Sequence, residues 1–399
     1  KITHIHIERF RGFQNEDFEV GSQLTAIAGQ NGTQKSTLLG IVTQTFTLKP
    51  EDPMRAEKPL CGGSYISAFK DKFRLSPIFD RPKGHEWTIS FDIGVDDFTV
   101  ESIKRTGDPN VRFWKKGARQ EGDGYISFPT IFLSLKRLVP MAEEAKIITD
   151  DTLLTPEELS EFKQLHNKIL IVQTPISSAT TITSKNKQSI GVSTELYDWN
   201  QNSMGQDNLG KIILALFSFK RLHDKYPQQY KGGILAIDEM DATMYPASQV
   251  ELLKILRKYA SKLNLQILFT THSMSLLKVM DDLVQEVSKQ EETAKQVKIL
   301  YLKKVDDKIT IKQNVDFKGI KLDLNVVAEG KKRKKNKITV YTEDNENILF
   351  VKAILKTKAS ILDFVDVTLP CSTLTELVNK NIPAFKHPYS IIILDGDVR

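Results

Sequence analysis

The sequence predicts an α/β protein built on a mixed sheet flanked by helices, with an antiparallel β portion and the start of a second α/β unit near its C-terminal end. Three observations predict it. After residue 208, apolar runs such as Gly233-Ile234-Leu235-Ala236-Ile237 and Gln266-Ile267-Leu268-Phe269 alternate with helix-length segments, and continuous apolar strands belong to sheets covered on both faces. Residues 1–28 and about 86–135 carry shorter stretches with alternating apolar side chains, the mark of half-buried strands. A fresh strand–helix–strand pattern begins at Ile338, directly after a lysine-rich break.

Composition bounds what the chain can be. It has 399 residues, 40% hydrophobic and 27% charged, with 21 Gly and 15 Pro, which excludes collagen-like, mucin-like and wholly disordered chains. At roughly 150 residues per domain, two or three domains are expected. The net charge of +6 is concentrated: Lys331, Lys332, Arg333, Lys334, Lys335 and Lys337 hold six of the 56 basic side chains, and the rest balance the 50 acids. The body is therefore not a generally basic nucleic-acid binder. Cys61 and Cys371 show no Cys-rich spacing, so a reducing, cytoplasmic setting is expected and a disulfide framework or structural zinc site is not. No apolar run approaches the roughly 18 residues needed to span a bilayer. The chain starts at Lys1 and stops at Arg399 just after a strand-like run, as a portion of a longer protein would.

In order along the chain, Ile2, Ile5 and Ile7, then Phe10, Phe13, Phe18 and Val20, read as short strands joined by a polar turn. Leu24 to Ala28 is a buried strand entering a glycine-containing turn, and Ser36 to Phe46 suits a helix. Trp87 to Phe91 and Val111 to Trp114 are strand-like. Thr155-Pro156-Glu157-Glu158 begins a helix over 155–168, with Thr as N-cap, Pro in the first position and an acid in the third. Residues 174–195, rich in Ser, Thr and Asn, read as a long loop. Leu209, Ile212, Ile213, Leu216 and Phe217 recur at helical spacing. Strand 233–237, helix 247–262 and strand 266–271 follow.

Four segments carry chemistry. Gly29-Gln30-Asn31-Gly32-Thr33-Gln34-Lys35-Ser36-Thr37 follows a buried strand and opens a helix. Backbone N–H groups there can cradle phosphate oxygens, Lys35 can reach β- and γ-phosphates, and Ser36 can ligate Mg²⁺. The motif ordinarily has Gly just before the Lys; here it is Gln34, which bears on loop geometry and turnover more than on binding. A polar strand–helix turn without a ligand stays open for this segment alone. Asp238 and Glu239 end an apolar strand; Asp238 can hold Mg²⁺ and Glu239 can activate the attacking water. His272, in Thr270-Thr271-His272-Ser273, can bond a γ-phosphate or water as neutral imidazole. Ser203 and Gly205, in Asn202-Ser203-Met204-Gly205-Gln206, precede a helix and form an anion site.

The order of these segments, with Asp241-Ala242-Thr243-Met244-Tyr245-Pro246 between the last two strands, resembles ATP-binding-cassette (ABC-type) ATPases. In particular it looks like the branch shared by the structural-maintenance and Rad50-like proteins and the overcoming-lysogenisation-defect (OLD) family. The resemblance covers residues 1 to about 315. It implies an ABC-type ATPase head over 1–330 with an insertion at about 50–200, and a homodimer or higher oligomer that sandwiches ATP. In that dimer Ser203 and Gly205 act in trans and Asp241 lies in the communicating loop. Relatives in this branch often have Leu-His-Pro where this chain has Met244-Tyr245-Pro246.

Ile338-Thr339-Val340-Tyr341-Thr342-Glu343 is a strand ending in an acid, and Ile391-Ile392-Ile393-Leu394 ends in Asp395-Gly396-Asp397. Parallel strands bring their C-terminal ends to one edge, so Glu343, Asp395 and Asp397 can converge. Three carboxylates there suit Mg²⁺ or Mn²⁺, which can activate water for phosphodiester cleavage. An ordinary α/β domain with acids at strand ends stays open. The segment 338–399 resembles part of a Toprim domain, with Asp344 where that family has Gly and Asn347 where it has a further acid. An ATPase followed by Toprim is the order of OLD nucleases, with residues 331–337 as a basic linker or a nucleic-acid phosphate contact. Trp87, Trp114 and Trp199 do not interleave with the basic run, so base stacking has no support.

The resemblance thus implies an ATP-dependent, metal-dependent DNA endonuclease, with Glu239, His272 and Glu343 in catalytic roles. Members of this layout serve antiphage defence, including effectors paired with retrons, which would add a reverse transcriptase and an RNA–DNA partner. The alternative is an ATP-switched scaffold with an inactive Toprim-like part. A repair-type clamp would need a long coiled coil before Ser203, where the sequence has Pro, Gly and strand patterns instead.

Overall fold

A computed structural model describes all residues except 66–71, 74, 77, 93, 95, 105–110, 118–123, 140–145, 151–152, 185–187, 314, 329–336, 386, 388–389 and 396–399. The chain divides into two compact units, Lys1–Leu324 and Asn325–Arg399. The basic run lies outside the described residues apart from Lys337, and so does Asp397.

In the first unit, β1 (Ile2–Phe10) and β2 (Phe13–Glu19) form an antiparallel hairpin. Every residue of β3 (Leu24–Gly29) is buried, and it leads into α1 (Lys35–Thr43). The helix ends three residues before the predicted Phe46. Thr43 turns its hydroxyl back onto the carbonyls of Leu39 and Gly40, competing with the helical ladder, and Phe46 enters the short strand β4 (Phe46–Thr47). Next, β5 (Glu86–Phe91), β6 (Phe98–Lys104) and β7 (Val111–Lys115) continue outward from β1 as an antiparallel meander. Strand β8 (Ile126–Ser127) pairs with β4, and β9 (Thr130–Leu133) follows.

The segment 174–195 is not a loop. A separate three-stranded sheet contains β10 (Ile148–Asp150), β11 (Ser178–Thr183) and β12 (Gln188–Ser193). Its Ser and Thr content suggested irregular chain, yet Ala179, Ile182, Ile190 and Val192 are buried, and β-branched residues favour a pleated, half-buried surface. Helix α2 (Pro156–Leu170) begins with the expected capping box between Thr155 and Glu158.

The rest of this unit alternates helix and strand: α3 (Met204–Lys225), β13 (Gly233–Ile237), α4 (Pro246–Lys262), β14 (Leu265–Thr271) and α5 (Met274–Val287). It closes with β15 (Val297–Val305), β16 (Lys308–Gln313) and the first part of α6 (Phe317–Ala328), which runs across the boundary at Leu324. The large mixed sheet runs β7-β6-β5-β1-β2-β16-β15-β3-β14-β13-β9. Its β15-β3-β14-β13-β9 half is parallel. Side-chain alternation on β3, β13 and β14 divides two cores. Ala26, Leu235 and Phe269 face the cluster built with α3, α4 and α5. Ile27, Ala236 and Leu268 face the cluster that holds α1 and the antiparallel strands. Burying each of the larger side chains among them, Ile27, Leu235, Leu268 and Phe269, contributes on the order of 1.5–3 kcal/mol, so the register of the central strands is fixed from both faces. Among the described residues, no helix is long and apolar enough to cross a membrane.

The second unit contains β17 (Ile338–Thr342), α7 (Asn345–Leu355), β18 (Leu362–Phe364), α8 (Cys371–Asn379) and β19 (Ser390–Ile393). Its three strands are parallel in the order β18-β17-β19.

Candidate nucleotide site

The site forms at the C-terminal ends of the central parallel strands, where each strand releases a loop. β3 ends in Gly29, with φ 148; a β-carbon there would lie 2.4 Å from the Leu302 carbonyl oxygen. Gly32, with φ 80, has open space around it, and Asn31 is exposed beside it. Gln34 is the N-cap of α1 at φ 62 and ψ 32. The position before the lysine thus needs the left-handed backbone that glycine adopts without strain, and here glutamine adopts it.

Lys35 is buried, and its Nζ donates to the carbonyls of Gly29 at 3.1 Å and Gln30 at 2.9 Å. Burial pushes its pKa down, and Glu239, Asp238 and Asp241 pull it back up. An anion meeting this ammonium would replace two neutral carbonyls with a full charge. Ser36 is exposed, and its hydroxyl donates to Asp238 Oδ1 at 2.9 Å across 202 residues of sequence. Thr37 is half-buried, 3.5 Å from Arg11 Nη1.

Asp238 leaves the end of β13. Its Oδ1 also accepts the Thr270 hydroxyl at 2.7 Å, and the same hydroxyl accepts the Glu239 N–H at 2.6 Å. Thr270 on β14 therefore locks both acids of β13 in place. Glu239 sits at φ 48. Burial raises its pKa, with the neighbouring charges of Asp238 and Asp241 adding to the effect against Lys35 and Arg137; a carboxylate shifted this way accepts protons more readily. The His272 N–H donates to Asp241 Oδ1 at 3.3 Å. Burial and then Lys35 lower the His272 pKa, which favours the neutral ring.

Ser203 is the N-cap of α3. Its hydroxyl accepts the Gln206 N–H while the Gln206 side chain accepts the Ser203 N–H, completing a capping box. Gly205 is buried, and a β-carbon there would lie 2.6 Å from the Thr243 carbonyl oxygen. The glycine lets the start of α3 sit directly against the loop after Glu239.

The structure thus joins Lys35, Ser36, Asp238, Glu239, Asp241 and His272 through direct bonds or charge. Sequence reading missed Arg137, Asn208, Gln249 and the bridging role of Thr270. Arg137 is 1% exposed in the turn after β9, and no motif spacing marks it. Gln249 donates to the carbonyls of Asp241 and Met244, holding the loop between β13 and α4.

In the second unit, the register Thr342↔Ile393 places Glu343 and Asp395 at the same sheet edge. Glu343 Oε1 accepts the Cys371 N–H at 3.3 Å, while its Oε2 is buried with no hydrogen-bond partner among the described residues. A lone buried carboxylate oxygen is a suitable cation ligand. Asp344 is the N-cap of α7, with its Oδ1 accepting the Asn347 N–H at 3.0 Å. Among the described residues no group of three His, Cys, Asp or Glu side chains is arranged to hold a metal; the third predicted ligand, Asp397, lies outside them.

Residues 135–277 match the family model of an AAA ATPase domain. The match includes Ser203, Asp238, Glu239 and His272, and an ATPase domain over these residues supports ATP binding and hydrolysis. Among solved structures, the chain is similar to the SMC head domain from Thermotoga maritima, at a TM-score of 0.42 and 13% identity over 79% of this chain and 99% of that one. It is also similar to an Smc head domain with an extended coiled coil bound to the C-terminal domain of ScpA from Pyrococcus furiosus (TM-score 0.43, 12% identity, 82% and 99% covered). The recombination mediator protein RecF aligns at a TM-score of 0.38 and 11% identity, covering 79% and 98%. No curated protein matches the chain.

Proposed function

We propose that the chain is an ATP-hydrolysing switch of the OLD type, whose first unit closes as a cytoplasmic homodimer around ATP and whose second unit is the start of a metal-dependent Toprim-like DNA nuclease centre. The observation that carries the first half is the 2.9 Å bond from Ser36 to Asp238. It brings together an oxygen pair of the kind that holds Mg²⁺ beside a phosphate-binding lysine. Bound Mg²⁺ would neutralise charge developing on the phosphate oxygens. Lys35, with the N–H groups from Gly29 to Thr37, would bind the β- and γ-phosphates. Glu239 would take the proton of the attacking water, and neutral His272 would orient that water or the γ-phosphate. Ser203 and Gly205 of the partner protomer would complete the site.

Glu343, Asp395 and Asp397 would hold Mg²⁺ or Mn²⁺ for phosphodiester cleavage. The orphaned Glu343 Oε2 supports this reading. A role in antiphage defence, with a retron's reverse transcriptase and RNA–DNA as partners, belongs to the same proposal. A second reading, the ATP-switched scaffold with an inactive second unit, is favoured by Asp344. Where the Toprim family has Gly, this side chain caps α7.

The test measures ATP binding, ATP turnover and cleavage of supercoiled DNA with Mg²⁺ or Mn²⁺ on the full-length protein. Lys35→Ala should abolish binding, and Glu239→Gln should keep binding while losing at least about 100-fold in turnover. Turnover by Glu239→Gln at the unsubstituted rate would sink the assignment of the base. Cleavage lost in Glu343→Gln supports the nuclease; intact ATP turnover with no cleavage under any nucleotide condition selects the scaffold.

A further inference from the structure

We propose that Arg137 and Asn208 are positioning residues that tie the start of α3 to the Glu239 backbone, so that the helix presenting Ser203 and Gly205 sets the geometry of the water-activating carboxylate. This rests on the reading of Glu239 as the base.

Arg137 is buried in the 3₁₀ turn Leu135–Leu138, directly after the edge strand β9. Its guanidinium has one donor direction for each neighbouring element. Nη1 donates to the carbonyls of Leu133 at 3.2 Å and Ser134 at 3.1 Å, fixing the side chain to its own strand end. Nη2 donates to the Glu239 carbonyl at 2.8 Å. Nε donates to Asn208 Oδ1 at 2.7 Å. Asn208, 0% exposed on α3, passes the link on: its Nδ2 donates to the Ala242 carbonyl at 3.1 Å and approaches Thr243 Oγ1 at 3.4 Å.

Both ends of the Glu239–Thr243 segment therefore hang from one Arg–Asn pair. Glu239 needs such support, because its φ of 48 is a strained position for a residue with a β-carbon. Gly205 rests against the Thr243 carbonyl three residues before Asn208. A shift of α3 that moved Gly205 would move Asn208, and through it the guanidinium, the Ala242 carbonyl and the Thr243 hydroxyl. Burying a guanidinium is costly unless its donors are placed. Burial lowers the Arg137 pKa to about 10, with Asp238, Glu239 and Asp241 opposing that shift. A lysine could not reproduce the fork, since its three donors radiate from one nitrogen.

Steady-state ATP turnover, ATP affinity and thermal unfolding of Arg137→Lys, Asn208→Leu, the double variant and Glu239→Gln test the inference. Arg137→Lys and Asn208→Leu should each lower kcat about tenfold or more while leaving KM for ATP within about twofold, the pattern of an interaction realised in the transition state. The double variant should fall no further than the worse single, because the two act as one unit. Single variants that keep kcat within about twofold overturn the proposal, and so do losses that multiply in the double variant. Loss of ATP affinity in step with loss of folded protein in both single variants overturns it too, leaving a structural role. If Glu239→Gln itself keeps full turnover, the failure belongs to the reading of Glu239 rather than to the coupling.

Discussion

Gln34 occupies the left-handed region at the tightest point of the phosphate loop, a conformation costing an L-residue on the order of 1–2 kcal/mol. Its side chain reaches Gly12 in the β1–β2 turn; a β-carbon at residue 12 would lie 2.9 Å from Gln34 Nε2. Gln34 Oε1 is buried without a partner among the described residues. Gln34→Gly removes both the backbone strain and the orphaned oxygen, and it gives back some chain entropy to the unfolded state. The net expectation is a gain of roughly 0.5–1 kcal/mol in unfolding free energy, read by chemical denaturation. A loss of stability would mean that the packing of the glutamine against Gly12 outweighs its backbone cost. The sequence showed that glycine was missing here, because the motif spacing is local. It could not show that Gly12, 22 positions earlier, makes room for the replacement, because that contact exists only once β1 and β3 share a sheet.

Among the elements, the β1–β2 turn is anchored to the antiparallel meander by buried charge. Arg11 sits at φ 51 and clamps Asp80 with Nε and Nη2, each at 3.0 Å. His85 Nε2 lies 3.1 Å from Asp80 Oδ1, and its Nδ1 lies 3.0 Å from the Ser102 hydroxyl on β6. Burial would raise the Asp80 pKa, but Arg11, the Ser76 N–H and His85 hold it down to about 2. Burial lowers the His85 pKa, with Arg11 and Arg9 adding to it against Asp80. Both shifts act in the same direction. The folded state binds fewer protons than the unfolded chain, so stability present at neutral pH is lost on acidification. The His85 part goes as pH falls below about 6.5, and the Asp80 part from about 4 downward. Melting temperature should therefore fall in two steps, and Asp80→Asn should flatten the lower one. A variant that keeps the same acid limb would show that the network does not govern it. Strands were legible in apolar runs such as β3, β13 and β14, but β15 and β16 were not read from the sequence. They were missed at 178–193, where four buried aliphatic residues are diluted by Ser and Thr and the pairing partner, not the composition, makes the strand.

At the scale of the molecule, the six charges of the basic run equal the net +6 of the chain, and the remaining basic and acidic side chains of the whole chain balance. Net charge gives two such copies no attraction for each other, so association in the proposed dimer would have to come from ATP itself completing a surface. Ser203 suits that role. It is exposed at the N-cap of the 22-residue helix α3, and its capping box with Gln206 leaves the helix start rigid. Gly205, two residues further on, is already packed against Thr243 of its own chain. In the proposed dimer the trans contact would therefore fall on the Ser203 side chain and the first-turn N–H groups rather than on Gly205. With Glu239→Gln to hold ATP uncleaved, sedimentation should show a mass that doubles on adding ATP and Mg²⁺. Adding Ser203→Arg to that variant should abolish the doubling while ATP affinity of the monomer stays within about twofold, because Lys35 and Ser36 belong to the other face of the sandwich. A doubled mass that survives Ser203→Arg would mean that the protomers meet elsewhere, and that α3 serves only the protomer that carries it.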